Sequence, residues 1–172
     1  MKITMAAAAL SLLPWQGLRA EMDGSQKAGS KLQQIEAAAT DIRAHAAKLK
    51  TAAFQPSMFS PEWHSYQLNA MAAESQEMGK YMKQFEALRA DATARQNTAF
   101  DLAVEHGSRL ADSIRKAIDI ANNSRSELEV FHPDYSEAVN AIYDQADGVV
   151  AAVGLAESWD EVHEAQQTLS KL

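Results

Sequence analysis

Apolar residues recur along most of this chain at alternating spacings of three and four, the period of a helix that buries one face. The clearest run is Ala28, Leu32, Ile35, Ala39, Ile42, Ala46, Leu49 and Ala53. It stops before Pro56, whose ring and missing N–H forbid continuation. A second run, His64, Leu68, Met71, Ser75, Met78, Met82 and Phe85, starts behind a strong helix-start signal. Ser60 is placed as N-cap, Pro61 as the first helical residue, and Glu62 near the positive end of the helix dipole.

The third run is Phe100, Ala103, Gly107, Leu110, Ile114, Ala117, Ala121 and Leu128. Just ahead of it, Thr93-x-x-Gln96 has the form of a capping box and places a turn at Asp91 to Thr93. The fourth opens at His132-Pro133-Asp134 and runs Tyr135, Val139, Ile142, Ala146, Val149 and Val153. Its phase slips near Gly154 before Trp159, Val162 and Leu169 resume it. With Ser158-x-x-Glu161 as another capping box, a break or kink is expected near Ala156. The pattern therefore predicts helices at about 25–53, 61–90, 94–128 and 133–171. Short connections between long helices imply an all-α fold, an antiparallel up-down-up-down four-helix bundle formed by residues 21–172.

The two halves echo each other at a period of 72 residues. Ile42-Arg43 matches Ile114-Arg115, and Phe59-x-Pro61-Glu62-Trp63 matches Phe131-x-Pro133-Asp134-Tyr135. Shared capping physics accounts for the proline and the acidic residue, but not for the flanking Phe or the Trp/Tyr pair. A duplicated hairpin would give a pseudo-two-fold bundle in which the second and fourth helices begin at the same end.

Residues 1–20 have the pattern of a secretory signal: Lys2, an apolar core from Ile3 to Leu13, and a cleavage site ending at Ala20. The apolar run is far shorter than the ~20 residues of a membrane span, so no transmembrane segment is expected after its removal. Loss of Lys2 and Arg19 takes the net charge from −7 to −9, with no basic block, which argues against nucleic acid and anionic lipid as partners. The chain has no cysteine, which excludes disulfides, thiolate metal sites and covalently attached haem. The expected location is the periplasm or the extracellular space.

Two places merit attention as sites. Phe59, Trp63, Tyr66, Phe131 and Tyr135 are expected to gather at one bundle end, with His64, His132 and Met58 beside them. Imidazole and thioether donors suit copper, and the competing account is an aromatic plug in which His132 caps a helix. Counting helical rise from the turn near residue 92 puts Gly79 level with Gly107, and Gly154 within about one turn. Glycine inside a helix costs about 1 kcal/mol against alanine, so either backbones approach closely there or side chains such as Met78, Met82, Tyr81 and His106 need the space. The second case would leave room for a small apolar ligand. Catalysis has little support: GxSxG, HExxH, the Walker loop and the dinucleotide fingerprint are all missing. Glu36, Asp41, Glu74, Glu77, Glu86, Asp101 and Glu105 fall mostly on expected solvent faces, and Glu86 is spaced to pair with Arg89.

The architecture resembles the cytochrome b562 and cytochrome c′ group of exported bundles. The stretch Ala156-Glu-Ser-Trp-Asp-Glu-Val-His163-Glu-Ala165 is similar to the start of their last helix segment. The resemblance implies that Met22 and His163 would stand where that group holds haem. A nearer likeness is to small secreted helical proteins of bacteria without an assigned role. It is carried by Ile42 to Leu49, by Trp63-His64 to Leu68-Asn69-Ala70-Met71, and by Pro133-x-Tyr135. It implies the fold and the compartment and transfers no activity or cofactor. The resulting expectation is a non-enzymatic interaction or scaffold module of the cell envelope, without a resident cofactor, whose partner is an envelope protein or a second copy. The alternative is a carrier of copper, haem or a small apolar molecule.

Overall fold

A computed structural model describes residues 15–52, 60–123 and 133–169, with side chains over 24–52, 60–123, 133–156 and at Ser158. Four helices account for nearly all of these residues: α1 (Trp15–Ala52), α2 (Pro61–Glu86), α3 (Ala94–Asn123) and α4 (Pro133–Leu169). Contacts between their flanks establish an antiparallel bundle. His45 of α1 meets Gln67 of α2, and Lys31 lies over Tyr81, so α1 and α2 run in opposite directions. Phe85 stacks on Phe100 with ring centroids 4.2 Å apart, and Met82 lies against Gly107, which reverses α3 on α2. His106 packs on Gly148, while Arg43 pairs with Asp147 and Lys50 lies over Tyr143, so α4 packs beside both α3 and α1.

The predicted stripes face inward. Ala28, Leu32, Ile35, Ala39, Ile42, Ala46 and Leu49 of α1 are buried, as are Leu68, Met71, Met78 and Phe85 of α2. Phe100, Ala103, Leu110, Ile114 and Ala117 of α3 meet Tyr135, Val139, Ile142, Ala146, Val149 and Val153 of α4 in the same core. Each large aliphatic side chain removed from water contributes roughly 1.5–3 kcal/mol, and this burial is what offsets the ordering of four long helices.

Three boundaries differ from the sequence pattern. α1 begins at Trp15, well before residue 25, through a stretch without an N-cap signal. α2 ends at Glu86 rather than 90, because its last turns tighten: Leu88 N–H donates to Phe85 O at 2.8 Å and Asp91 N–H to Leu88 O at 2.9 Å. These three-residue bonds wind the chain out of the α-helix. α4 is unbroken from Pro133 to Leu169, so the expected break near Ala156 does not occur. Ser158 Oγ donates back to Leu155 O at 3.2 Å instead of accepting at a new helix start, which is how a serine inside a continuous helix satisfies itself. Ala53 and Leu128 lie outside the described residues. No helix among the described residues is long and apolar enough to cross a membrane.

Candidate functional site

The α2–α3 end is held by one glutamine. Thr93 N–H donates to Gln96 Oε1 at 2.9 Å and Gln96 N–H donates to Thr93 Oγ1 at 3.2 Å, the reciprocal capping box the sequence predicts. Gln96 also reaches α1. Its Nε2 donates to Ser25 O at 3.1 Å, and Ser25 Oγ donates to Gln96 Oε1 at 3.3 Å. Asn97 Nδ2 donates to the Arg89 and Ala92 carbonyls that the turn leaves open. Arg89 spans Glu86 at 3.1 Å and Asp101 at 2.6 Å. Nothing in the spacing revealed the reach of Gln96 to α1.

Beside this turn, between the start of α3 and α4, lies a groove of about 330 Å³ lined by Ala94, Arg95, Thr98, Ala99, Leu102, Leu155 and Ala156. Its walls are almost wholly apolar. Leu155 is 52% exposed and Leu102 37%, so two large aliphatic side chains stand at the surface beside it. Small residues on both helices, Ala94, Ala99 and Ala156, make the trough; the leucines form its raised edges. The volume lies at the lower limit of small-ligand pockets. Scattered exposed leucines are ordinary; here two flank one concavity. The α4 half of this groove falls where the stripe changes phase, so the periodicity does not reveal it.

At the opposite end, Ser60 Oγ accepts from Trp63 N–H at 3.3 Å and caps α2. His64, one turn in, is buried at 2% exposure and joins α4 through Nδ1 and Tyr135 Oη at 3.1 Å. The Trp63 ring meets the imidazole edge-on, with centroids 5.3 Å apart. Burial pushes the His64 pKa down and the Tyr135 pKa up. The aromatic gathering is therefore real for Trp63, His64 and Tyr135. It excludes Tyr66, which is 66% exposed and points away because it lies two residues beyond His64 on the helix. Met58, Phe59, Phe131 and His132 lie outside the described residues, as do the side chains of Met22 and His163. Among the described residues no three His, Cys, Asp or Glu side chains converge as metal ligands would.

Of the three glycines expected to form one layer, only Gly107 makes room for a neighbour. A methyl group added at Gly79 or at Gly154 would meet nothing within 4 Å. Rise along the axis fixes height but not direction, and these two face open space. Gly107 does make room, for Met82 Cε at 2.7 Å and Met78 Cε at 3.5 Å from the position of a Cβ. The room for His106 is made by Gly148, where the ring lies 2.5 Å from a Cβ position, and His106 Nδ1 bonds Gln145 Oε1 at 2.9 Å. Met78 thus packs at Gly107 of α3, whereas His106 packs at Gly148 of α4. Gly24 is a further close approach, with Asp91 Cβ 2.5 Å from where its Cβ would be.

No family model, curated protein or solved structure matches this chain.

Proposed function

We propose that the chain is a non-enzymatic helical-bundle module of the cell envelope that binds a partner protein through the α3–α4 groove. The observation that carries this is the apolar trough edged by exposed Leu102 and Leu155. A groove between two antiparallel helices accepts the apolar ridge of a third, the helix-in-groove mode of recognition. The partner is accordingly an amphipathic helix presenting a large aliphatic or aromatic side chain. Small alanines on both walls let its backbone come close.

Export is supported by the Lys2 n-region, the apolar core and the site at Ala20. Gly24, the first residue of α1 with a described contact, lies beyond that cut, so removal of residues 1–20 leaves the described bundle contacts in place. Photo-crosslinking in the native cell tests the proposal, with the reactive group at Leu155 and a control at Glu77 on α2. One discrete adduct from position 155, lost on Leu102→Asp, is the expected result. Equal labelling at both positions, or an adduct indifferent to Leu102, would overturn it.

A carrier of a small apolar molecule is the second reading, favoured by the same groove volume. A visible spectrum and elemental analysis of natively purified protein separate the carriers: colour speaks for haem, stoichiometric copper for a metal carrier. An extractable apolar compound displaced by Leu155→Asp speaks for the third.

A further inference from the structure

The His64–Tyr135 contact plays no part in the groove, and it joins the two hairpins at the other end of the bundle. A count of protons shows what is unusual about it. If Tyr135 O–H donates to Nδ1, the imidazole carries its proton on Nε2, which has no partner among the described residues. If Nδ1–H donates to Oη, the phenol proton is left over instead. Either tautomer leaves one buried donor unpaired among the described residues. The imidazolium would leave two, because both ring nitrogens and the phenol then carry protons and the pair makes only one bond.

The surroundings oppose that second proton as well. His64 lies one turn after the Ser60 cap of α2, and Tyr135 lies in the first turn of α4. Two helix N-termini, the positive ends of their dipoles, therefore lie within about one turn of the pair. Among the described residues no carboxylate is buried beside the imidazole. α1 brings His45, half-buried on Gln67, with exposed Lys48 and half-buried Lys50 over Tyr143. α2 brings exposed Glu62, α3 exposed Lys116 and Asp119, and α4 exposed Asp134 and Glu137.

We propose that the His64–Tyr135 contact is an acid-released latch between the two hairpins: uptake of a proton at His64 opens the first turns of α2 and α4, while the Thr93 end stays closed. Once open, the imidazole reaches water, so the charged form that the closed state refuses becomes acceptable. The lowered pKa of His64 in the closed bundle agrees with this. Linkage sets the size. Below about pH 6.5, the free-imidazole value, the opening constant rises by up to tenfold for each pH unit, until the closed state itself binds the proton.

The test is residue-resolved hydrogen exchange on the full chain between about pH 7.5 and about pH 5, corrected for intrinsic rates, with NMR titration of the His64 ring. Expected is a rise in opening of roughly tenfold or more at residues 61–68 and 133–139, little change at 83–98, and loss of the acid effect in His64→Leu. Tyr135→Phe should open the same segments at neutral pH and keep the acid slope. A uniform rise along all four helices overturns the latch. So does an unchanged acid response in His64→Leu, or a His64 ring that titrates at about pH 6.5 without local opening. If His64→Leu does not fold, the wild-type exchange pattern and ring titration decide between these outcomes by themselves.

Discussion

The two ends of the bundle solve the same problem in opposite ways. At the α2–α3 end, Gln96, Asn97, Thr93, Ser25 and Arg89 join turn, helix start and α1 through hydrogen bonds, leaving Asn97 Oδ1 as the one buried side-chain atom there without a partner among the described residues. At the Ser60 end, among the described residues, α2 and α4 meet through one buried bond that cannot satisfy both of its members. A buried polar group left unpaired costs about 1–3 kcal/mol. Among the described residues each end carries one such atom. At the first end it sits in a network of several bonds, whereas at the second it belongs to the pair that ties α2 to α4. The first end is therefore the better held.

Removing the Gln96 side chain is the strongest way to break that contrast. Gln96→Leu should cost about 2 kcal/mol in urea unfolding, since it strips the cap from Thr93 N–H and the tie to Ser25 together. Acid should act next, from the other end. The folded pKa of His64 lies below its unfolded value, so the unfolded chain binds more protons as pH falls below about 6.5, and stability drops by up to about 1.4 kcal/mol per unit until the folded pKa is reached. Urea midpoints of wild type and His64→Leu across that range measure it. Ser60→Ala should cost about 1 kcal/mol, read as faster exchange confined to the start of α2.

The smallest effect is a comparison of pairs. His64→Leu combined with Tyr135→Phe should lie within about 1 kcal/mol of wild type at neutral pH, because removing both partners leaves nothing unsatisfied. A loss as large as that of Gln96→Leu would mean that the two ends are built alike. Separately, Gly79→Ala should stabilise by about 0.5–1 kcal/mol, as its methyl meets open space inside a helix.

Much of this was readable from the residues. The stripes identify the core because burial selects apolar side chains at the helical period, and Ser60, Pro61 and Thr93-x-x-Gln96 mark helix starts because orphan N–H groups select the same few residues. His64 and Tyr135 were legible as neighbours in height, because their helices start at one end. What the spacing could not give was direction around each axis. Tyr66 shares a level with Trp63 and His64 yet faces water, and Gly79 shares one with Gly107 yet faces nothing. The groove at Leu155 is hidden for the same reason: in the pattern alone the phase slip near Gly154 reads as a broken helix. It marks instead the place where a continuous α4 turns an aliphatic side chain outward.

The close approaches at Gly24 and Gly148 carry a consequence for alignment. Faces rich in alanine, such as that of α1 with Ala38, Ala39 and Ala46 and that of α4 with Ala138, Ala146 and Ala152, look nearly alike after a slide of one helical turn, about 5.4 Å. Such surfaces bury area without saying where to stop. Asp91 seated at Gly24 and His106 seated at Gly148 act as detents on α1 and α4, each admitting a side chain at one height only. Filling either notch with a methyl group would thus threaten the vernier of the bundle, shifting two helices along their axes, before it threatened the existence of the helices themselves.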